Sequence, residues 1–201
     1  MGITTNANGQ TIVYFAQPPN PNFPQSTELI DRLINSEFTT KIISQSGEGH
    51  WVSAINWNEW DGNTNWPEVP RNWTDATRIS ETQNNTGTGA LISFDPEANP
   101  WILTTNRFGN RVRPARRPNF IGLAHELIHA DRYRRGAMID FRERYDFDFR
   151  EQFLLFFRIR RSRNSMKDEI ATVGLAFNTD CDITENDIRS EHGLRLRGVA
   201  D

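Results

Sequence analysis

The sequence is poor in cysteine and in long apolar runs, and each shortage excludes a class of protein. Cys181 is the only cysteine among 201 residues, so no disulfide can form within the chain, which suits a reducing compartment. A mean hydropathy of -0.66 and the lack of long apolar runs argue against membrane spans. We therefore expect a soluble protein that builds its core from 36% hydrophobic residues without disulfide cross-links.

The sequence also lacks a recognisable secretory signal peptide. Its first ten residues, MGITTNANGQ, contain neither the basic segment nor the apolar stretch that such a signal requires. If the protein leaves its cell, we expect a specialised secretion system to export it.

Charge is distributed unevenly, although the formal net charge is only -3. Residues 107–163 contain 15 arginines and 7 acidic residues, whereas residues 1–106 contain 11 acidic and 4 basic residues. The arginine-rich block can bind phosphates, or it can pair with acidic side chains elsewhere in the fold. We favour internal pairing, because a dedicated nucleic-acid-binding domain usually has a basic overall balance.

Apolar spacing and turn residues predict a mixture of short strands and helices. The predicted strands cover residues 11–16, 38–44 and 90–94, and a further hairpin turns at Gly109 and Asn110. The predicted helices begin at Ser26 or Thr27, at Pro118 or Asn119, near Ser165, and after Thr184. Residues 139–164 alternate Arg with Phe and are predicted to form a strand and a helix. Five of the six tryptophans lie in residues 50–85, which predict a long loop with one or two short strands.

The stretch LAHELIHADRYRRG carries the strongest functional signal of the chain. On a helix, His125 and His129 lie about 40° apart around the axis and one turn along it, so both imidazoles can bind one metal ion. Glu126 is then placed to take a proton from a water bound to that ion. The uncharged flanking residues predict a buried helix. The sequence thus predicts a zinc hydrolase site.

A catalytic zinc site needs a third protein ligand and one open position. We predict Glu169, in SMKDEIATVG on a downstream helix, with Asp168 as the alternative. The remaining histidines, His50 and His192, lie in a glycine-rich turn and at a helix end, and neither context is typical of a ligand.

Three segments, LAHELIHADRYRRG, DEIATVGL and ITENDIRSEHGLRLR, together resemble the effector-type zinc metallopeptidases of family M91. Such proteins occur among type III secretion effectors and as C-terminal modules of Rhs-type toxins. The resemblance covers residues 89–197. It implies an α+β, zincin-like fold in which a small twisted sheet lies beside the active-site helix and a second helix bears the glutamate ligand. It also implies that strand 90–94 forms the sheet edge that binds extended substrate.

The resemblance further implies a gluzincin-like zinc endopeptidase that cleaves a protein in the cytosol of a target cell, with a stress-activated MAP kinase as a candidate target. We assign residues 89–201 to the catalytic core and residues 1–88 to an N-terminal flank of the same globule that recognises substrate. Tyr133, Tyr145 or an arginine can stabilise the oxyanion. We expect a monomer that binds neither nucleic acid nor membrane. The alternative function is a non-catalytic zinc- or phosphate-binding interaction module that uses the arginine-rich segment.

Overall fold

The protein is described here by a computed structural model, which covers residues 2–5, 11–14, 20–47, 49–57, 71–80, 83–105, 112–152 and 158–200. These residues form five helices and nine strands, so the architecture is mixed, as predicted. The turn predicted at Gly109 and Asn110 lies outside the described residues. Among the helices within these ranges, none has the length and apolar character needed to cross a bilayer.

The described residues form three sheets and five helices. In chain order they are β1 (Gly2–Thr5), β2 (Thr11–Tyr14), α1 (Pro24–Ile34), β3 (Thr40–Ser44), β4 (Trp51–Ile55), α2 (Trp73–Ala76), β5 (Gly89–Phe94), β6 (Trp101–Thr105), β7 (Val112–Arg116), α3 (Asn119–Arg134), β8 (Arg144–Gln152), β9 (Arg158–Met166), α4 (Lys167–Val173) and α5 (Glu185–Glu191). The strand orders are β1-β2, β3-β5-β4 and β6-β7-β8-β9.

The three-stranded sheet supports the longest helix, α3. Its central strand is β5, which pairs in parallel with β3 and antiparallel with β4. The prediction that residues 90–94 form the edge strand is therefore wrong, because both sides of that strand are occupied. The two edge strands of this sheet are β3 and β4, and neither was predicted as the edge.

The second large sheet contains a long antiparallel hairpin, β8 and β9, which pairs from Arg144↔Met166 to Gln152↔Arg158. We expected a strand and a helix over residues 139–164, and the helix was wrong. Charged and aromatic residues alternate along this segment with a period of two, and that period places successive side chains on opposite faces of a strand. The same period would scatter them around a helix.

Helix α1 begins two residues earlier than the predicted start at Ser26. Pro24 occupies the first turn, where its fixed φ and missing amide are tolerated. The N–H groups of that first turn have no acceptor within the helix. The carboxylate of Glu191, on α5, accepts hydrogen bonds from the backbone N–H groups of Gln25 and Ser26, both at 2.8 Å. A partner 165 residues away thus replaces the expected local cap.

Helix α3 is buried on most of its surface because several elements pack around it. It contacts β5 and β4 on the sheet side and α1, α2, α4 and α5 on its other sides. Ile121 and Ile128 of α3 pack in one apolar cluster with Leu29, Ile92 and Ile188. The helix that carries both histidines of the motif is therefore held on several sides by the core.

Candidate metal centre

Helix α3 brings the two histidines of the motif together as the spacing predicts. The Nε2 atoms of His125 and His129 lie 3.3 Å apart, and both side chains are about 95% buried. The helix begins after Pro118 and ends near Gly136, whose φ of +58° is in the left-handed region that glycine tolerates.

The short helix α4 supplies the third group. The carboxylate of Glu169 lies 3.2 Å from Nε2 of His125 and 3.1 Å from Nε2 of His129. These three residues form a group that could hold a metal ion. Asp168, the alternative ligand, does not face these Nε2 atoms, because it lies one position earlier on α4 and reaches the opposite side of the His129 ring.

The outer nitrogen of each imidazole is fixed by a buried carboxylate. Glu185 contacts Nδ1 of His125, and Asp168 contacts Nδ1 of His129, each at 2.9 Å. These contacts favour the tautomer in which Nδ1 carries the proton and Nε2 presents a lone pair. Both rings are therefore oriented with their free lone pairs towards Glu169.

This donor set fits a tetrahedral zinc ion. Two imidazole lone pairs and one carboxylate converge, and three acceptors this close repel one another unless a cation lies among them. Zinc–ligand distances near 2.0–2.1 Å require roughly 3.3 Å between ligand atoms at tetrahedral angles. The two Nε2 atoms lie 3.3 Å apart, and the Glu169 carboxylate lies 3.2 Å from His125 through Oε2 and 3.1 Å from His129 through Oε1, which is close to that requirement.

The two supporting carboxylates are themselves held by arginines. Glu185 is fully buried and contacts Nε of Arg189 at 2.6 Å and Nη1 of Arg197 at 3.0 Å. Asp168 contacts Nε of Arg132 at 3.1 Å and accepts a hydrogen bond from the backbone of Ile139 at 2.9 Å. Each imidazole is therefore backed by a carboxylate that is in turn backed by a guanidinium.

The pKa values of these groups reflect the same demand for positive charge. Burial alone lowers the pKa of His129, but Glu169 and Asp168 outweigh burial and raise that pKa well above its ordinary value. Burial raises the pKa of Glu169, yet His129 and His125 outweigh it and lower that pKa well below the usual range. Without a metal ion, protons are expected to supply the positive charge that the carboxylates require.

The three groups open into a cavity of about 590 Å³. Glu126 also lines it, and burial, followed by the charge of Glu169, raises the pKa of its carboxyl against the opposing effect of the histidines. One end of the cavity is aromatic, because the rings of Trp73 and Tyr133 meet edge to face at 5.7 Å and Phe141 lies 6.4 Å from Trp73. The arrangement suits an extended apolar or amphipathic ligand.

A family model described as peptidase M91, effector protein, matches residues 24–198. The chain belongs to the peptidase M91 family. Membership supports a peptidase that acts as an effector on a protein substrate, and an effector family suggests delivery into host cells. The match confirms the resemblance predicted from the three motifs, and it extends further into the N-terminal half than we expected.

No curated protein matches this M91 chain. Among solved structures it is similar to the crystal structure of botulinum neurotoxin type D light chain, with 20% identity and a TM-score of 0.37. That alignment covers 85% of this chain and 44% of the light chain, so the M91 chain spans less than half of the length of that neighbour.

The two candidate tyrosines of this M91 peptidase occupy different environments. Tyr133 is 4% exposed and lines the cavity, and burial, with the charges of Asp168 and Glu126, raises its pKa well above the ordinary value, so the phenol stays protonated. Tyr145 is 46% exposed and packs against Phe177. It is not among the residues that line the cavity. The structure therefore brings Tyr133, and not Tyr145, to the site.

Neither His50 nor His192 was predicted to bind metal, and the structure places these two histidines in different surroundings. His192 stacks on Phe23 at 4.4 Å between ring centroids. His50 lines the cavity, with its ring stacked on Phe94 at 5.1 Å. A Cβ at Gly122 of α3 would lie 2.3 Å from Nε2 of His50, so only glycine allows this contact. The sequence around His50 contains no pattern that predicts this contact with Gly122.

Glu185 and Arg117 were also missed. The pattern of Glu185 and Arg189, four residues apart on a short helix, is typical of a surface ion pair, yet both are buried. Arg117 directly precedes the N-cap residue of α3 and belongs to the arginine-rich block of the sequence. In the structure it is only 7% exposed and lines the cavity.

Proposed function

We propose that the protein is a zinc-dependent endopeptidase that cleaves a target-cell protein. The observation that carries this proposal is the convergence of two imidazole Nε2 atoms, 3.3 Å apart, with the carboxylate of Glu169, while both outer imidazole nitrogens are held by buried carboxylates. His125, His129 and Glu169 would hold the ion. This His-His-Glu set is that of hydrolytic zinc sites. Such an ion, when bound, acidifies a water molecule and polarises a carbonyl group.

The proton transfers are assigned to Glu126. It follows His125 on α3 and lines the same cavity, so its carboxylate can take a proton from the attacking water and later give it to the leaving amine. Tyr133, which stays protonated, is the phenol that can donate a hydrogen bond to the carbonyl oxygen as negative charge develops on it.

Extended substrate is proposed to bind along β4 instead of β5. Trp51 and Val52 of this strand line the cavity, and β5 pairs with the other side of β4. Near the end of the strand, Arg71 forms a bridge to Ile55, so the first half of β4 is the part available to a peptide. An extended chain can add to such an edge by backbone hydrogen bonds.

The experiment compares new protein N-termini in eukaryotic and bacterial lysates treated with wild-type protein or Glu126→Gln, both confirmed to be zinc-loaded. Termini that appear only with the wild type would establish the endopeptidase and name its substrate. Stress-activated MAP kinases are the first candidates in the eukaryotic lysate. Identical lists from the two proteins in both lysates would contradict the proposal and favour the non-catalytic binding module.

A further inference from the structure

Arg117 is a buried cation that contacts no carboxylate among the described residues. Its side chain is 7% exposed and lines the cavity, and its Nε has no hydrogen-bond partner. Within the described residues, no carboxylate forms an ion pair with it. The other deeply buried arginines differ, because Arg132, Arg189 and Arg197 each contact a carboxylate at 3.4 Å or less.

A second unpaired donor lies beside it. Nδ1 of His50 accepts a hydrogen bond from the backbone N–H of Asp95 at 3.2 Å, so the proton of the neutral ring belongs on Nε2. Burial, and then the charge of Arg117, lowers the pKa of His50, which keeps the ring neutral. Nε2 is buried and has no partner among the described residues.

Buried charges and buried donors are strongly unfavourable unless a partner satisfies them. Arg117 and His50 line the same cavity as Glu126 and Glu169, where the reaction is proposed to occur. Arg71 is the other arginine of the cavity wall, and it already interacts within the chain. The missing partner of Arg117 is therefore expected to arrive with the substrate.

We propose that Arg117 binds a side-chain carboxylate of the peptide substrate and so selects Asp or Glu next to the scissile bond. This inference rests on the proposed endopeptidase function. A guanidinium binds a carboxylate through two parallel N–H groups, which gives direction as well as charge complementarity. A carboxylate is favoured over a phosphate dianion, because Glu126, Glu169 and Asp168 line the same cavity and repel a doubly charged group more strongly.

The test reads the residues that flank each cut. A peptide library from a denatured proteome is digested with zinc-loaded wild-type protein, Arg117→Gln, Arg117→Lys and Arg116→Gln. Arg116 is the matched control, because it is the adjacent arginine but is exposed and lies over Trp101 at 4.3 Å. The wild type and Arg116→Gln should show Asp or Glu enriched at one position within two residues of the cut.

We expect Arg117→Gln to lose that enrichment by about tenfold or more, with preferences at other positions unchanged, and Arg117→Lys to retain part of it. Three results would overturn the proposal. They are a wild-type profile without an acidic preference, an equal loss for acidic and neutral peptides in Arg117→Gln, and cuts confined to peptide C-termini, where Arg117 would hold the terminal carboxylate.

A binding measurement separates this proposal from the endopeptidase function. Zinc-loaded Glu126→Gln is titrated with two capped heptapeptides of alanine whose central residue is Glu or Gln, and affinity is read by calorimetry. The Glu peptide should bind about tenfold more tightly, and the added Arg117→Gln change should abolish the difference. Equal affinities, or no binding of the Glu peptide, would overturn the carboxylate site even if the wild type cleaves proteins.

Discussion

Two sides of the cavity differ in whether their buried charged groups have partners within the chain. On the side of α4 and α5, each histidine contacts a carboxylate, and each of those carboxylates contacts an arginine. On the side where the chain enters α3, Arg117 and His50 have buried nitrogen atoms that find no hydrogen-bond partner in the described part of the chain. Among the described residues, each charged side chain of the first side contacts one of opposite charge, whereas Arg117 on the second side does not.

This contrast separates the charges that stabilise the fold from the charge whose partner is expected to come from a ligand. A partnered network orients its members and costs stability when one member is removed. An unpartnered buried cation destabilises the free protein, so its removal should relieve the fold while it harms binding. Four substitutions test this contrast.

The largest expected effect is that of Glu126→Gln, between the two sides. Loss of the group that moves protons should lower kcat by roughly 10²–10⁴-fold, while zinc content stays at the wild-type level because none of the three proposed ligands is changed. Turnover of a cleaved peptide and zinc by atomic absorption are the two measurements. Turnover within tenfold of wild type would exclude Glu126 from the proton transfers.

Glu185→Gln breaks the partnered side. The amide no longer provides a negative charge for His125, Arg189 and Arg197, so zinc affinity should fall about 10–100-fold and the melting temperature should fall as well. Competition with a fluorescent chelator measures the affinity. Glu28→Gln is the control, because Glu28 is half exposed and pairs only with Arg32 in the i, i+4 position. Unchanged zinc affinity in Glu185→Gln would remove this residue from the metal centre.

Tyr133→Phe tests the donor at the aromatic end of the cavity. Loss of one hydrogen bond to a developing charge should lower kcat by about tenfold with little change in KM or in zinc content. Tyr145→Phe is the matched control and should behave as wild type, because Tyr145 does not line the cavity. Equal effects of the two changes on kcat would show that neither phenol acts directly on the substrate.

The smallest effect is expected for Arg117→Met, on the unpartnered side. Removal of an unpaired buried charge should raise the melting temperature by about 2–4 °C, or about 1 kcal/mol for a chain of this size. Arg116→Met, at an exposed position, should leave it within error. A decrease like that of Glu185→Gln would mean that Arg117 has a structural partner and would erase the contrast between the two sides.

The metal-binding part of the site could be predicted because its main signal is local. A spacing of four residues fixes the relative positions of His125 and His129 on any helix, and a carboxylate pair on one nearby helix narrowed the third ligand to Glu169 or Asp168. Both acidic residues contact the histidines, one at Nε2 and the other at Nδ1. The position of α4 decides which of the two carboxylates faces Nε2 and which contacts Nδ1, and no local sequence pattern specifies that position.

The supporting residues could not be predicted, because their partners are distant in the sequence. Glu185 meets His125 across 60 residues, and His50 meets Asp95 across 45. Local sequence rules predicted a helix boundary correctly where neighbouring residues supply the cap, as in the capping box of Thr184 and Asp187. They failed where a distant side chain replaced a local cap, as Glu191 does at the start of α1.

The contact between His50 and Gly122 has an evolutionary consequence. Since a Cβ at position 122 would occupy the space of the imidazole, position 122 cannot gain a side chain while His50 is retained. Among homologous effectors, a side chain at the position of Gly122 should appear together with a smaller residue at the position of His50. Because His50 and Arg117 line the same cavity, this double exchange would also change the surroundings of Arg117.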